Sequence, residues 1–128
     1  MPYLQNMKPS ELKEAVDKNV PLMVSVGSIE YHGSQLPLGT DLLIIEGLLR
    51  ELEKKTEIVV APPFTFSPTG YMVSGEDRGT VDIHIGTFIE YCSQILSAYK
   101  GMALSVFMYS FTIRAVVLKD FCSLLWSR

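Results

Sequence analysis

The stretch that decides the fold is Gly27-Ser28-Ile29-Glu30-Tyr31-His32-Gly33-Ser34-Gln35-Leu36-Pro37-Leu38-Gly39-Thr40-Asp41. An apolar run precedes it and an amphipathic run follows it, which predicts a loop that joins a strand to a helix. In open α/β sheets such loops lie at the carboxyl ends of the strands, where ligands bind. We therefore expect the functional residues of the chain to lie here.

Three side chains of this loop are strong metal ligands: Glu30, His32 and Asp41. Glu30 and His32 are two residues apart, so an extended backbone points both side chains the same way. Asp41 is expected just inside the next helix, whose partly positive N-terminus tolerates a carboxylate. One imidazole with two carboxylates suits a divalent ion such as Zn or Mn. The spacing alone favours a simpler interpretation, a solvated histidine and an ordinary first-turn aspartate.

The flanking segments predict a βαβ unit. Residues 20–28 are apolar and rich in β-branched side chains, which indicates a buried parallel strand. Thr40 is predicted to cap a helix from residue 41 to about residue 55, with an apolar stripe made of Ile45, Leu48, Leu49 and Leu52. Residues 57–61 are predicted to form the second strand. This order implies a parallel pair of strands with a right-handed crossover.

Two more helices and a third strand are expected. Residues 8–16 predict a short helix with Ser10 as its N-cap. The T-x-x-E pattern at residues 87–90 is a capping box, which predicts a helix to about residue 100 with Gly101 at the C′ position. An apolar segment at about residues 103–111 is predicted to be the third strand.

A long loop is predicted between the second strand and this last helix, at residues 64–84. Loops of this length in a compact domain are usually either functional or disordered. Phe64, Phe66 and Tyr71 are costly to leave in water, so we expect the loop to wall a pocket or to join a subunit interface. His84, the only other histidine, is interpreted as a polar residue before a helix and not as a ligand.

Composition narrows the classes of function. The 128 residues fit one domain, and 48% of them are apolar, which is enough for a core. The net charge of −3 excludes the basic footprint of a nucleic-acid-binding protein. Two cysteines make no disulfide framework, and the first residues show no signal peptide, so we expect a reduced, cytoplasmic chain. Arg114 near the end of the apolar segment at 102–118 argues against a membrane helix.

The whole motif, G-S-I-E-Y-H-G-S-Q-L-P-L-G-T-D, resembles the first motif of the creatininase family, approximately G-S-x-E-Q-H-G-P-H-L-P-L-G-T-D. The departures are Tyr31, Ser34 and Gln35. The resemblance continues more weakly through residues 74–82 and covers roughly residues 5 to 101. It implies an α/β fold, a three-layer parallel-sheet creatininase-like fold that is truncated here to about three strands with flanking helices.

The resemblance also implies a chemistry. Members of the family are metal-dependent amidohydrolases with two divalent ions, Zn or Mn, so Glu30 would bind one ion, His32 the other, and Asp41 would bridge them. The reaction is hydrolysis of a C–N bond in a small-molecule cyclic or formyl amide. Tyr31 and Gln35 lie beside the ligands and are expected to line the substrate pocket. No residue is assigned a catalytic role, and the intact enzyme is expected to be a homo-oligomer.

The chain changes character after Gly101, so we divide it into residues 1–101, the N-terminal part of a creatininase-like domain, and residues 102–128, an apolar C-terminal tail. The tail has no glycine or proline, and no histidine follows His84. We therefore expect the His-containing loop that completes the family site to be absent. We expect fewer bound metal ions than in the intact family, and weak or no turnover.

Two explanations of the tail are open. The codons of residues 101–115, read from the third base of Gly101, permit Y-G-F-K-R-I-Y-V-F-I-H-H-Q-G, which describes a helix end, an apolar strand and a histidine loop. The first hypothesis is therefore that the tail is frameshifted. The second is a genuine tail on a small non-catalytic α/β module, where it docks to a partner or membrane.

Overall fold

The computed structural model describes residues 2–69 and 79–110, and its centre is a parallel sheet of three strands. The strands are β1 (Leu22–Val26), β2 (Val59–Val60) and β3 (Val106–Ser110), in the order β2-β1-β3. A 3-10 turn (Leu4–Asn6) comes first, followed by the helices α1 (Pro9–Asp17), α2 (Thr40–Glu53) and α3 (Ile85–Gly101). The predicted α/β class, with three parallel strands and flanking helices, is confirmed.

The central strand is β1, which is paired along both edges. Its Leu22 pairs with Val59 on one side and with Val106 on the other, and the β1–β3 register continues to Val26 and Ser110. Because both edges and both faces are covered, an unbroken apolar run is the sequence expected of such a strand. Leu22 and Val26 are fully buried, as the sequence predicts.

The second strand is shorter than the predicted segment 57–61. Only Val59 and Val60 pair as a strand, although isolated bridges join Tyr3 to Val60 and Phe64 to Val26. Proline has no N–H to donate to a sheet, so Pro62 and the proline after it end the regular pairing. The Phe64 bridge then keeps the chain beside the end of β1.

The core lies on both faces of the sheet, which makes three layers. One face buries Leu22, Val24 and Val26 against side chains of α1 and α3, among them Ala15, Phe88, Cys92 and Leu96. The other face packs Val60 and Met23 against Ile45 and Leu49 of α2. Leu48 departs from the predicted apolar stripe, since it is 47% exposed.

The helix starts differ from the predicted caps. Lys8 is the N-cap of α1, and its backbone N–H donates to Glu11 Oε2 at 2.6 Å, so Ser10 lies inside the helix. His84 is the N-cap of α3, because its Nδ1 accepts from the N–H of Gly86 at 3.2 Å. The capping box predicted at residues 87–90 is therefore wrong by about one helical turn.

The other two helix ends are also shifted. Gly39 is the N-cap of α2, and the Thr40 hydroxyl donates to the carbonyl of Pro37 at 2.6 Å. Gly101 is the last residue of α3 and not the residue after it, and the left-handed backbone falls at Ala103, with φ 60°. These shifts leave the order of elements unchanged.

Several predictions lie outside the described residues. They are the weak resemblance at 74–78, the middle of the predicted loop, and the tail from residue 111 onward, which includes Cys122. The beginning of the tail is described and contains β3, where the third strand was predicted. Across residues 2–69 and 79–110, no helix combines the length and the apolarity needed to traverse a lipid bilayer.

Candidate metal centre

The motif loop begins where β1 approaches the first turn of α2. A Cβ at Gly27 would lie 2.6 Å from Leu42 Cδ2 and 3.2 Å from the Leu42 backbone nitrogen, so a side chain at residue 27 would force Leu42 to shift. The approach brings Ser28 beside Asp41, and the Ser28 hydroxyl donates to Asp41 Oδ2 at 2.7 Å. Strand and helix are thereby joined at the base of the loop.

The three predicted ligand residues converge above this base. One ligand atom from each of Glu30, His32 and Asp41 lies within 4.8 Å of the others. His32 Nε2 is 3.2 Å from Asp41 Oδ1 and 3.4 Å from Glu30 Oε1. This is the one group of three or more histidine, cysteine or acidic side chains with such spacing in the part of the chain that is described.

The orientation of the imidazole leaves one nitrogen for a ligand. His32 Nδ1 is 3.0 Å from the backbone carbonyl of Glu30. A carbonyl oxygen can only accept, so Nδ1 carries the hydrogen of this contact. The neutral ring then has its lone pair on Nε2, which faces both carboxylates, and a backbone contact of this kind commonly fixes the ring of a metal-binding histidine.

The charges of the group favour a cation. The side chain of Asp41 is 4% exposed and that of Glu30 is 13% exposed. Burial raises the pKa of the Glu30 carboxyl, and the nearby Asp41 charge raises it further, whereas hydrogen bonding by Ser28 and the proximity of His32 oppose the rise. A buried carboxylate and a half-buried carboxylate that repel each other are stabilised by a positive charge between them.

A divalent ion fits the spacing of these donors. Ligand atoms at about 2.0–2.2 Å from one tetrahedral Zn ion lie roughly 3.3–3.6 Å apart. The separations of 3.4 and 3.2 Å between His32 Nε2 and the oxygens of Glu30 and Asp41 are close to this range. One nitrogen and two oxygens are also a donor set used for Zn, Mn or Fe, so the residues present suit such an ion.

Backbone contacts hold the loop around the group. The N–H of Glu30 donates to the carbonyl of Leu38 at 2.9 Å, and Gly33 adopts a φ of 90°, which a side chain would strain. The segment after residue 78 lies against the loop, because the N–H of Tyr31 donates to Thr80 Oγ1 at 3.0 Å and the N–H of Val81 donates to the Ile29 carbonyl. The described end of the long loop therefore packs on the motif.

The predicted pocket residues have different environments. Tyr31 is half-buried, whereas Gln35 is exposed and folds its amide back over Gly33. Their assignment to a substrate pocket stays a prediction. His84 is not part of the group, because it caps α3, which agrees with its interpretation as a polar residue before a helix.

Sequence reasoning missed the roles of Ser28 and Thr80, which contact Asp41 and Tyr31. Ser28 was part of the quoted motif, but its partner Asp41 is thirteen residues away. Thr80 is 49 residues from Tyr31. Both contacts depend on the fold, and no local spacing pattern signals them.

Comparison with known proteins gives one consistent family. The family model described as creatininase, creatinine amidohydrolase, matches residues 5–107, slightly beyond residue 101, where the resemblance was expected to stop. The chain is 27% identical over 97 residues to the 3-dehydro-scyllo-inosose hydrolase of Thermotoga maritima. That match covers 76% of this chain and 31% of the relative.

Solved structures share the fold. A mutant creatininase complexed with creatine superposes with a TM-score of 0.82 at 15% identity, over 98% of this chain and 51% of that chain. A structure described as creatininase Mn gives a TM-score of 0.74 at 17% identity, over 83% and 43% of the two chains. A mutant of the Zn-Zn type gives 0.81 at 14% identity, over 98% and 51%. The chain thus spans about half the length of the solved relatives and about a third of the curated one.

Proposed function

Because the chain belongs to the creatininase family, we propose that Glu30, His32 and Asp41 hold a divalent cation, Zn or Mn, and contribute it to the hydrolysis of a C–N bond. The observation that carries the proposal is the convergence of the three side chains in a chain that the family model matches. When bound, the cation would lower the pKa of a water molecule and polarise the scissile carbonyl.

The residues of the chain have distinct roles in this proposal. The carboxylates of Glu30 and Asp41 supply negative charge, and Asp41 is the more buried of the two. The His32 side chain is 22% exposed, so a small molecule can approach the three ligands from the side where His32 lies. The contact between His32 Nδ1 and the Glu30 carbonyl keeps Nε2 directed at the centre while a substrate enters.

We further propose that these residues hold one ion per chain and that turnover by this chain is weak. Three protein ligands complete one site and leave a second ion without enough of them. The described residues contain one such group, although one solved relative is of a Zn-Zn type. The ion is Zn or Mn because both occur in solved relatives and both accept mixed nitrogen and oxygen ligands.

The substrate we propose is a small-molecule cyclic or formyl amide. One solved relative is complexed with creatine, and the curated relative is named for hydrolysis of 3-dehydro-scyllo-inosose. Both names concern small molecules, which fits a partly exposed group, but an inosose is a carbocyclic ketone without nitrogen, so the amide proposal rests on the creatininase relatives. The two names differ in substrate, so the choice requires an assay with a panel of substrates.

A metal titration tests the proposal directly. The chain, stripped with a chelator, is titrated with Zn or Mn by calorimetry, and we expect a stoichiometry of one. His32→Asn should remove this binding, whereas His84→Asn should not, because His84 caps α3 and asparagine is also a good N-cap. Equal binding by the two variants, or no stoichiometric binding by the unmodified chain, would contradict the proposal.

Activity is tested on the loaded chain. Cyclic and formyl amides are incubated with the chain plus one equivalent of metal, and release of the new carboxylate is followed. We expect slow hydrolysis that disappears in His32→Asn and persists in His84→Asn. Hydrolysis that is unchanged in His32→Asn would show that the activity comes from another source.

A further inference from the structure

Ser28 is a fully buried side chain with no assigned role, and it lies two residues beyond the end of β1. It is 0% exposed, and Asp41, which accepts its hydrogen bond, is 3% exposed. The bond connects the two ends of the motif loop across thirteen residues. It therefore fixes the carboxylate at the point where the loop enters α2.

We infer that Ser28 is a positioning residue for the metal ligand Asp41: its hydroxyl holds Oδ2 so that Oδ1 faces His32 and the cation. The inference rests on the proposed metal centre. Asp41 Oδ1 is 3.2 Å from His32 Nε2, whereas Oδ2 is 2.7 Å from the Ser28 hydroxyl. The two oxygens of one carboxylate thus have different partners, which defines its rotation.

A neutral donor is suited to this position. A lysine or arginine there would cancel the carboxylate charge that attracts the cation, whereas a hydroxyl orients the carboxylate and leaves that charge in place.

The expected effect is on metal affinity. Partners that orient a metal ligand from behind typically change affinity by about 10–100-fold when they are removed. Without the hydroxyl, Asp41 Oδ2 loses the hydrogen bond from Ser28, and the carboxylate can rotate away from the geometry that a cation needs. We expect Ser28→Ala to raise the dissociation constant for Zn by that factor at unchanged stoichiometry.

The matched control is Ser25, a second buried serine, which lies within β1. Ser25 is 4% exposed and precedes Ser28 by three residues, and it is not part of the group of three ligands. Ser25→Ala should change metal affinity by less than about twofold. Ser28→Thr keeps the hydroxyl and should retain most of the affinity, a rescue that loss of packing alone does not produce.

The experiment measures the Zn dissociation constant of each folded variant by competition with a chromogenic chelator, with circular dichroism as the folding check. Wild-type affinity in folded Ser28→Ala would overturn the inference while the metal centre stands. If Ser28→Ala does not fold, Ser28→Cys supplies a near-isosteric, weaker donor, and wild-type affinity in that variant overturns the inference equally. If the unmodified chain binds no Zn, the proposed function and the inference both fail.

Discussion

The Glu30 carbonyl accepts a hydrogen bond from His32 Nδ1 at 3.0 Å, while the Glu30 carboxylate lies 3.4 Å from Nε2 of the same ring. One residue thus contacts both nitrogens of the histidine, through its backbone and through its side chain. The backbone contact orients the ring without using the carboxylate. The side chain of Glu30 can therefore be changed while the orientation of His32 is kept.

Glu30→Gln should weaken metal binding without destabilising the metal-free chain. The substitution replaces a carboxylate whose ionised form is disfavoured by burial and by the charge of Asp41. The free energy of unfolding, measured in the presence of a chelator, should therefore stay the same or rise. Zn affinity should fall at least about tenfold, because an anionic ligand is lost. Chemical denaturation with and without Zn measures both quantities.

The control for Glu30→Gln is Glu46→Gln. Glu46 makes an exposed ion pair with Arg50 on α2, and such pairs contribute at most about 1 kcal/mol. The Zn affinity of the Glu46→Gln variant should equal that of the unmodified chain. A Glu30→Gln chain that loses more than about 1 kcal/mol of stability in chelator would show that the carboxylate supports the fold.

Gly27→Ala should disturb the base of the motif loop. A methyl group there would lie 2.6 Å from Leu42 Cδ2 and 3.2 Å from the Leu42 nitrogen, so Leu42, in the first turn of α2, must shift. We expect a loss of about 1–3 kcal/mol in the free energy of unfolding and a weaker Zn complex, because Asp41 precedes Leu42.

The matched control for Gly27 lies within α2 itself. A methyl group at Gly47 would meet nothing within 4 Å, so Gly47→Ala should stabilise the helix by about 0.5–1 kcal/mol and leave Zn binding unchanged. Urea denaturation of the two variants measures the contrast. Equal stability of the two alanine variants would contradict the close approach of β1 to α2.

The sequence predicts which helices and strands are present better than it predicts where they begin and end. The reason is that several residues near each helix end compete for the capping position. Lys8 and Ser10 both lie near the start of α1, and the cap is chosen by the bond from the Lys8 N–H to Glu11. His84 likewise takes the place of the capping box predicted at residues 87–90. Its Nδ1 accepts from the Gly86 N–H, so the helix begins before residue 87. Propensity does not separate two such candidates within one turn.

The proximity of the three candidate ligands was predictable for a different reason. Glu30, His32 and Asp41 lie close together in the sequence, where a strand leads into a helix, so their proximity follows from the chain alone. The bond between Ser28 and Asp41, in contrast, needs the approach of Gly27 to Leu42. The β1 run was predictable because burial on both faces requires an apolar sequence.

Cys92 should be chemically inert in the folded chain. It is fully buried in α3, and burial raises the pKa of its thiol from 9.0 to about 12. The thiolate is the reactive form, so less of it exists at any given pH. In a Cys122→Ser background, where Cys92 is the only cysteine, a thiol reagent at pH 8 should react only on unfolding.

The same shift makes stability depend on pH. The folded pKa of the Cys92 thiol lies above its unfolded value, so its contribution is complete below pH 9 and is lost as the pH rises toward about 12. Cys92→Ala should remove this part of the pH dependence. Rapid labelling of the native thiol at pH 8 would contradict the burial.

The sequence predicts Gly101 at the C′ position after α3, where glycine is preferred. Two substitutions at this helix end should show that the preference falls at residue 103 instead. Gly101 is helical with open space around its Cα, so Gly101→Ala should be neutral or stabilising. Ala103 has a φ of 60°, a conformation that costs a non-glycine residue about 1–2 kcal/mol, so Ala103→Gly should stabilise the chain by about 1 kcal/mol. Thermal denaturation of each variant measures both effects, and destabilisation by Gly101→Ala would restore the predicted C′ position.

The left-handed residue after α3 also bears on the origin of the tail. Glycine is the residue preferred there, yet the chain has Ala103. In the alternative reading frame, the codon that joins Met102 to Ala103 must encode glycine, because methionine has one codon. The frameshift hypothesis thus places a glycine next to the position where the fold favours one.

We expect the nucleotide sequence after the Gly101 codon to continue as an open reading frame in that frame and to encode a histidine loop. Restoring the frame should then raise Zn stoichiometry above one and increase amide hydrolysis, whereas an early stop codon in that frame would establish the tail as genuine.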